Sequence, residues 1–331
     1  RWDELRLGYT ETFGAPDLRR AIADTYDDID ADDILCFAGA EDGIFAAMQV
    51  LLSPDDHAIV VTPNYQAAET VPGSICEVTG VALDPDNDWA LDLDELRDAL
   101  RPNTRVISVN FPHNPTGKVL DRETFDQLIE LARERGIYIF SDEVYRLLER
   151  DESIRLPQAA DACERGLSLN VMSKAYGLPG LRIGWTVTTP EMREALWRRQ
   201  EYTVICPPFL SDRLAQIALS PEVRPAILER TRQYIRRGYP VLQEWLAGHG
   251  DAFHLTPPQA AAIAFVRYDL DVNSTELVNR LLREKSVLIV PGDHFGLDNY
   301  LRISFGLPYD YLRAGLDRIH QLVVEFQGED I

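Results

Sequence analysis

Seven short apolar runs, at residues 34–37, 58–62, 74–78, 106–110, 137–141, 166–171 and 184–188, constrain this chain more than any other feature. Helical patterns lie between most of them, at 43–52, 92–100 and 123–135. Nearly continuous apolar strands separated by helices predict a parallel sheet covered on both faces. Such a sheet binds ligands beyond the carboxyl ends of its strands. Ahead of the first run, Leu18, Ala21, Ile22 and Tyr26 have the spacing of an amphipathic helix over 17–26, with Pro16 as a first-turn residue. After Trp185 the pattern is mainly helical, including a long charged segment at 224–245. Strand-like runs return at 262–266, 287–290 and 301–305, with helices at 274–284 and 309–326. The chain of 331 residues is too long for one compact domain and short for three. The expectation is a large α/β domain at 8–223 and a smaller α+β domain at 224–331.

Charge and cysteine content narrow the function classes. A formal net charge of -21 sets the average surface against nucleic acid and against an anionic membrane. Cys36, Cys76, Cys163 and Cys206 show no C-x-x-C spacing, so neither a zinc knuckle nor a disulfide framework is indicated, and no metal is expected. They read as reduced thiols of a cytoplasmic protein. The chain has no run of 18 apolar residues and no signal peptide, and it begins at Arg1 without a methionine.

Polar clusters fall where the strands are expected to end. Residues 38–43, Ala-Gly-Ala-Glu-Asp-Gly, follow the first run and open a helix, a candidate phosphate cradle of backbone amides. Residues 110–117, Asn-Phe-Pro-His-Asn-Pro-Thr-Gly, hold two X-Pro bonds and a tight turn, which suits a side chain that must be aimed. Asp142 ends the run 137–141 and leads into Glu143, Val144 and Tyr145; a helix cap is the plain reading of either acid. Residues 173–185 place Lys174 among small and apolar residues, followed by glycines, a proline and Arg182. A lysine that loses hydration there favours its neutral, nucleophilic amine, as Schiff-base chemistry requires; the plain alternative is a snorkelling lysine in a buried loop.

Together these motifs resemble the aspartate aminotransferase family, class I/II of the fold type I pyridoxal-phosphate enzymes. The resemblance rests on Tyr-x-x-x-x-Gly-x-x-x-Leu-Arg at 9–19, Gly-Ala-Glu at 39–41, Pro-Asn-Tyr at 63–65 and Asn-Pro-Thr-Gly at 114–117. It continues with Asp-Glu-Val-Tyr at 142–145, Ser-Lys at 173–174 with Arg182, and Leu-Arg-Ile-Ser-Phe at 301–305. They occur in the family's order across nearly the whole chain.

The resemblance implies a mostly parallel seven-stranded sheet in the large domain and a cofactor, pyridoxal 5'-phosphate, held as an aldimine on Lys174. It implies an aminotransferase that moves the α-amino group of an amino acid to a 2-oxo acid by way of pyridoxamine phosphate. Asp142 would pair with the ring nitrogen, Asn114 and Tyr145 would hold the ring oxygen, and Tyr65 would stack on the ring. Catalysis is implied for Lys174, Asp142 and Tyr145. The phosphate would sit on the amides of Gly39, Ala40 and Glu41, with Ser173 and Arg182 and with Tyr9 of a neighbouring subunit in a homodimer; the side chain of Glu41 is left free to cap the helix. Arg302, with Asn114, would grip the substrate's α-carboxylate. The plainer roles are core aromatics for Tyr65 and Tyr145, surface salt bridges for Arg182 and Arg302, and a structural part for His113. A longer segment ahead of Tyr9 would complete the small domain.

A lyase or cyclase of carbon-sulfur or elimination type uses the same constellation, and a non-catalytic relative is the third class. Against a second carboxylate on the donor, Asp42 and Gly43 follow the glycine turn and no cation lies at 201–206, although Arg198 and Arg199 stand just before it. A donor with a neutral or basic side chain is expected.

Overall fold

The computed structural model describes residues 6–327. Helix α1 (Pro16–Ala23) starts at Pro16, whose missing N–H costs nothing in a first turn, and it buries Leu18 and Ile22. It stops three residues before the expected end at Tyr26. The amides of Thr25 and Tyr26 turn back to Ile22 and Ala23 instead, and the Tyr26 hydroxyl accepts from Trp185 Nε1 at 2.6 Å.

The large sheet draws on a strand–helix alternation close to that expected. Its members are β1 (Ile34–Phe37), β2 (His57–Thr62), β3 (Glu77–Asp84), β4 (Ala90–Leu91), β5 (Thr104–Asn110), β6 (Tyr138–Asp142), β7 (Gly166–Val171) and β8 (Gly184–Val187), in the order β1-β8-β7-β6-β5-β2-β3-β4. The sheet therefore has eight strands where seven were expected, the extra one being the two-residue β4 at the edge. Five central strands, β3, β2, β5, β6 and β7, run parallel; β8 is antiparallel to both β7 and β1, and β4 to β3. The sheet is mixed.

One strand was misplaced. Only the last two residues of the run at 74–78 lie in a strand: Ser74 closes α3 (Gln66–Gly73), pairing begins at Glu77, and β3 continues to Asp84. Near the sheet edge β3 buries Val81 and Leu83 but exposes their neighbours, so its apolar residues alternate and leave no continuous run to read.

Helices cover both faces. Val106 of β5 joins Leu35, Phe37, Met48 and Leu196 in one core, with α2 (Ala40–Leu51) over it, whereas the next residue, Ile107, joins Leu96, Leu128 and Ala132 on the other face. That second face is covered by α4 (Leu93–Asp98) and α5 (Arg122–Arg135). Each fully buried leucine, isoleucine or valine stabilises such a sandwich by about 1.5–3 kcal/mol. The short α6 (Ala159–Ala162) packs on β7.

Beyond the sheet come α7 (Pro190–Gln200), α8 (Phe209–Leu219) and the 24-residue α9 (Arg224–Ala247). An antiparallel sheet in the order β11-β12-β10-β9 follows, built from β9 (Phe253–Leu255), β10 (Ile263–Tyr268), β11 (Val290–Pro291) and β12 (Tyr300–Ser304). Its helices are α10 (Ser274–Lys285) and α11 (Tyr309–Gln327). The three-residue β9 gave no readable run, and the run at 287–290 pairs only from Val290. Tyr239 of α9 meets Phe305 with ring centroids 5.4 Å apart. Among the described residues no helix is long and apolar enough to cross a membrane.

Because β8 reverses direction between β7 and β1, the carboxyl ends of β1, β2, β5, β6 and β7 all open on one side. Arg302 of β12 reaches that side and donates from Nη1 to Asn114 Oδ1 at 2.9 Å.

Candidate active site

The strand ends enclose a pocket of about 270 Å³. From β1 and the start of α2 it receives Ala40 and Glu41, and from the segment after β2 it receives Tyr65. Asn110 and Asn114 come from the end of β5 and its loop, Asp142 and Tyr145 from β6 and the turn beyond it. Ser173, Lys174 and Arg182 close it from the β7–β8 connection, and Arg302 from the second sheet.

Gly39 stands at the helix mouth with φ 105°, and a Cβ there would lie 2.1 Å from Arg182 Nη2. Only glycine lets the arginine lie against this turn. The first amides of α2 have no intrahelical acceptor and no side-chain cap, so they remain available to an anion. Glu41 does not cap the helix: its Oε1 accepts from the Tyr65 hydroxyl. That bond, followed by burial, pushes the Tyr65 hydroxyl up to about 12, with Arg302 acting in the opposite direction.

Asp142 is buried, and burial pushes its carboxyl up to about 6 against the Val144 N–H and the charge of Lys174. Neither Asp142 nor Glu143 caps a helix, because the chain continues as turn; Asp142 Oδ1 accepts from Val144 N at 3.1 Å. Asn110 was not singled out from the sequence as a site residue, yet it binds the strand ends together. Its Nδ2 donates to the Asp142 carbonyl at 2.8 Å and its Oδ1 accepts from Asn114 N at 2.8 Å. A polar side chain at the end of an otherwise apolar strand was the available signal, and Asn110 pairs in register with Asp142.

Lys174 corrects one step of the sequence argument. Its side chain is exposed in the open pocket, not desolvated among the apolar residues around it, and Nζ lies 5.3 Å from the centre of the Tyr145 ring. The small residues nearby shape the turn; they do not bury the amine. Arg182 donates to the Pro179 carbonyl at 3.0 Å and reaches Ser173 Oγ at 3.5 Å. Among the described residues neither Arg182 nor Arg302 pairs with a carboxylate, in a chain with 54 acidic residues. Arg302 Nε is buried without a partner.

Other singled-out residues lie outside the pocket. His113 is buried, with Nε2 donating to the Pro63 carbonyl and Nδ1 accepting from Thr116 Oγ1, both at 2.7 Å; burial pushes it down to about 4. It is a neutral strut. Glu143 turns away from the pocket and accepts from Ala159 N and Ser168 Oγ, each at 2.9 Å. Asp42 faces the Ala38 amide and Thr203, and a Cβ at Gly43 would lie 2.7 Å from Leu169 Cδ1. Arg198 and Arg199 are exposed on α7 and do not line the pocket. Tyr9 is 83% exposed and contributes nothing to the pocket of its own chain.

Comparison with known proteins accords with this geometry. The family model described as aminotransferase class I and II matches residues 3–319. Capreomycidine synthase of Streptomyces vinaceus is 31% identical over 96% of this chain and 82% of its own. An aspartate aminotransferase of Streptomyces avermitilis is 28% identical over 96% and 82%. The crystal structure of a PLP-dependent aminotransferase from Streptococcus suis superposes with a TM-score of 0.93 at 32% identity, covering 99% of this chain and 87% of that one. The chain belongs to the class I and II aminotransferase family. It is a pyridoxal-phosphate-dependent aminotransferase, acting on an amino acid and a 2-oxo acid.

Proposed function

We propose that the pocket at the strand ends is the transamination site. The observation that carries this reading is the convergence around one cavity of an accessible amine, a buried carboxylate and two arginines that have no carboxylate partner among the described residues. The residues fit pyridoxal phosphate: the Gly39 turn, whose missing Cβ leaves room for Arg182, and the free amides of Ala40 and Glu41 make a seat for a dianion. Ser173 adds a hydroxyl to that seat. Asp142 would hold the ring nitrogen protonated, Asn114 and Tyr145 would donate to the ring oxygen, and Tyr65 would cover a ring face. When bound, the cofactor withdraws electrons from the donor's α-carbon.

Lys174 Nζ would hold the cofactor and would take the proton from the donor's α-carbon. Its exposure in the open pocket leaves it free to swing between the two tasks. Arg302 binds the α-carboxylate as a planar fork, with Asn114 Oδ1 fixing one arm and buried Nε still lacking a partner. Single-turnover spectroscopy tests the reading. With an amino acid and no 2-oxo acid, the cofactor should stop in its amine form, and 2-oxo acid should restore the lysine-linked form. A cofactor that returns unaided to the lysine-linked form while product is released would mark a lyase or cyclase, the reading that the relative named a capreomycidine synthase keeps open.

A homodimer completes the proposal, with Tyr9 reaching the phosphate of the partner subunit. Exposed apolar residues on the N-terminal strip, after α7 and on α8 support it: Leu7, Tyr9, Tyr202, Leu214 and Ile217 all lie open to solvent in one chain. Sedimentation should give a dimer, and Tyr9→Phe should weaken cofactor retention about tenfold without dissociating it, the loss of one charge-assisted hydrogen bond. A fully active monomer would contradict this. The same reading divides the chain near residue 223, because the large sheet ends at Val187 and the small one begins at Phe253. It places the protein in the cytoplasm, where its four free cysteines suit the reducing conditions.

A further inference from the structure

We propose that the Glu41 carboxylate selects the amino donor, taking the cationic end of a side chain that carries a guanidinium or ammonium group. The inference rests on the reading of Arg302 as the α-carboxylate fork. Five charged side chains line the pocket: Glu41, Asp142, Lys174, Arg182 and Arg302. Four of them are committed to the cofactor or to the α-carboxylate, and Glu41 engages the phosphate only through its backbone amide. Its carboxylate is the charge left over.

Its placement suits that role. Glu41 is exposed to the pocket, and the Tyr65 hydroxyl anchors Oε1, while no cation pairs with the carboxylate among the described residues. Tyr65, Glu41, Asp142 and Arg302 all line the same pocket of about 270 Å³, with the Tyr65 hydroxyl donating to Glu41. A donor whose α-carboxylate is held by Arg302 shares that pocket with the Glu41 carboxylate, the one charge there not otherwise assigned. The neighbouring acid cannot share the task, because Asp42 is turned onto Ala38 N and Thr203.

Charge then decides between donors. A distal guanidinium or ammonium gains a charge-assisted hydrogen bond at Glu41. A distal carboxylate meets a like charge there, and the arginines that could have offset it, Arg198 and Arg199, lie on the exposed side of α7, with Arg198 paired to Glu194 at 3.2 Å. The net charge of -21 adds to the same preference during approach.

The test compares half-reactions of the holoenzyme with arginine, lysine, norleucine and glutamate. Norleucine matches lysine in length without its charge. The expected order of kcat/KM is arginine or lysine first and glutamate last. Glu41→Gln keeps the backbone amide and an acceptor for Tyr65; it should cost the cationic donors about tenfold to a hundredfold and norleucine less than about threefold. Glu41→Lys should reverse the order in favour of glutamate. A wild-type preference for glutamate, or an equal loss on every donor in Glu41→Gln, overturns the proposal. Binding of 5-guanidinopentanoate, hexanoate and glutarate, read by calorimetry, separates the subsite from the reaction. Tight binding of the guanidinium compound that is lost in Glu41→Gln supports the subsite even if no donor is converted. Conversion of donors without a charge preference leaves the transamination reading standing and removes the subsite.

Discussion

Lys174→Ala is expected to lower kcat by about four orders of magnitude or more, because under the proposed assignment it removes both the nucleophile that would carry the cofactor and the base that would move the α-proton. The fold should not change. The side chain is exposed in the pocket and lies 5.3 Å from the Tyr145 ring, so its loss removes one cation–π contact and no core packing. Far-UV circular dichroism and the urea midpoint should match those of the parent protein. Cofactor should still bind through its phosphate and ring, but it should wash out on dialysis and resist fixation by borohydride. A variant that keeps a hundredth of the parent's turnover would move the covalent role away from Lys174.

The same lysine shows where sequence reasoning reaches and where it stops. Its place could be read because a glycine-rich turn follows an apolar strand, and strands of a parallel sheet deliver their ends to one side. Its solvation could not: small neighbours suggested burial, whereas they line an open pocket. Strands β1 and β7 matched their apolar runs because both are buried along their whole length, at the carbonyl end as well as the start. Strand β3 starts three residues and ends six residues later than its expected run because only one of its faces is covered, and β4 and β9, at two and three residues, are too short to carry a period.

Side-chain direction was the least legible layer. Residues 41–43 read as two acids and a glycine after a turn, with nothing to separate them. In the folded chain the helix sends Glu41 to the pocket, Asp42 to Ala38 and Thr203, and packs Gly43 against Leu169. Consecutive helical positions are rotated by about 100° from one another, so the start of α2 has to be placed before these directions are known. Asn110 was overlooked for a related reason. It earns its place by pairing with Asp142 across two strands, a contact that depends on register.

Asp142→Asn is expected to move activity and stability in opposite directions. Asparagine keeps the shape and can still accept from Val144 N, but it carries no charge for the ring nitrogen; kcat should fall about a hundredfold to a thousandfold, the cost of removing one preorganised electrostatic partner. In the protein without cofactor the carboxyl is a liability. Burial raises it from 3.8 to about 6, so the folded chain holds this proton where the unfolded chain has already released it. The stabilisation that comes with the proton is complete below about pH 4 and is lost as pH rises through 6, a change of about 3 kcal/mol for two pH units of displacement. Asp142→Asn removes that loss. Urea unfolding of the cofactor-free proteins at pH 4.5 and pH 8 should show the variant gaining stability relative to the parent as pH rises. With cofactor bound, the positively charged ring nitrogen should hold the carboxyl ionised and shift the balance back toward the parent. An asparagine variant that is less stable than the parent at pH 8 without cofactor would make Asp142 a structural residue, and its conservation of turnover would remove it from the chemistry.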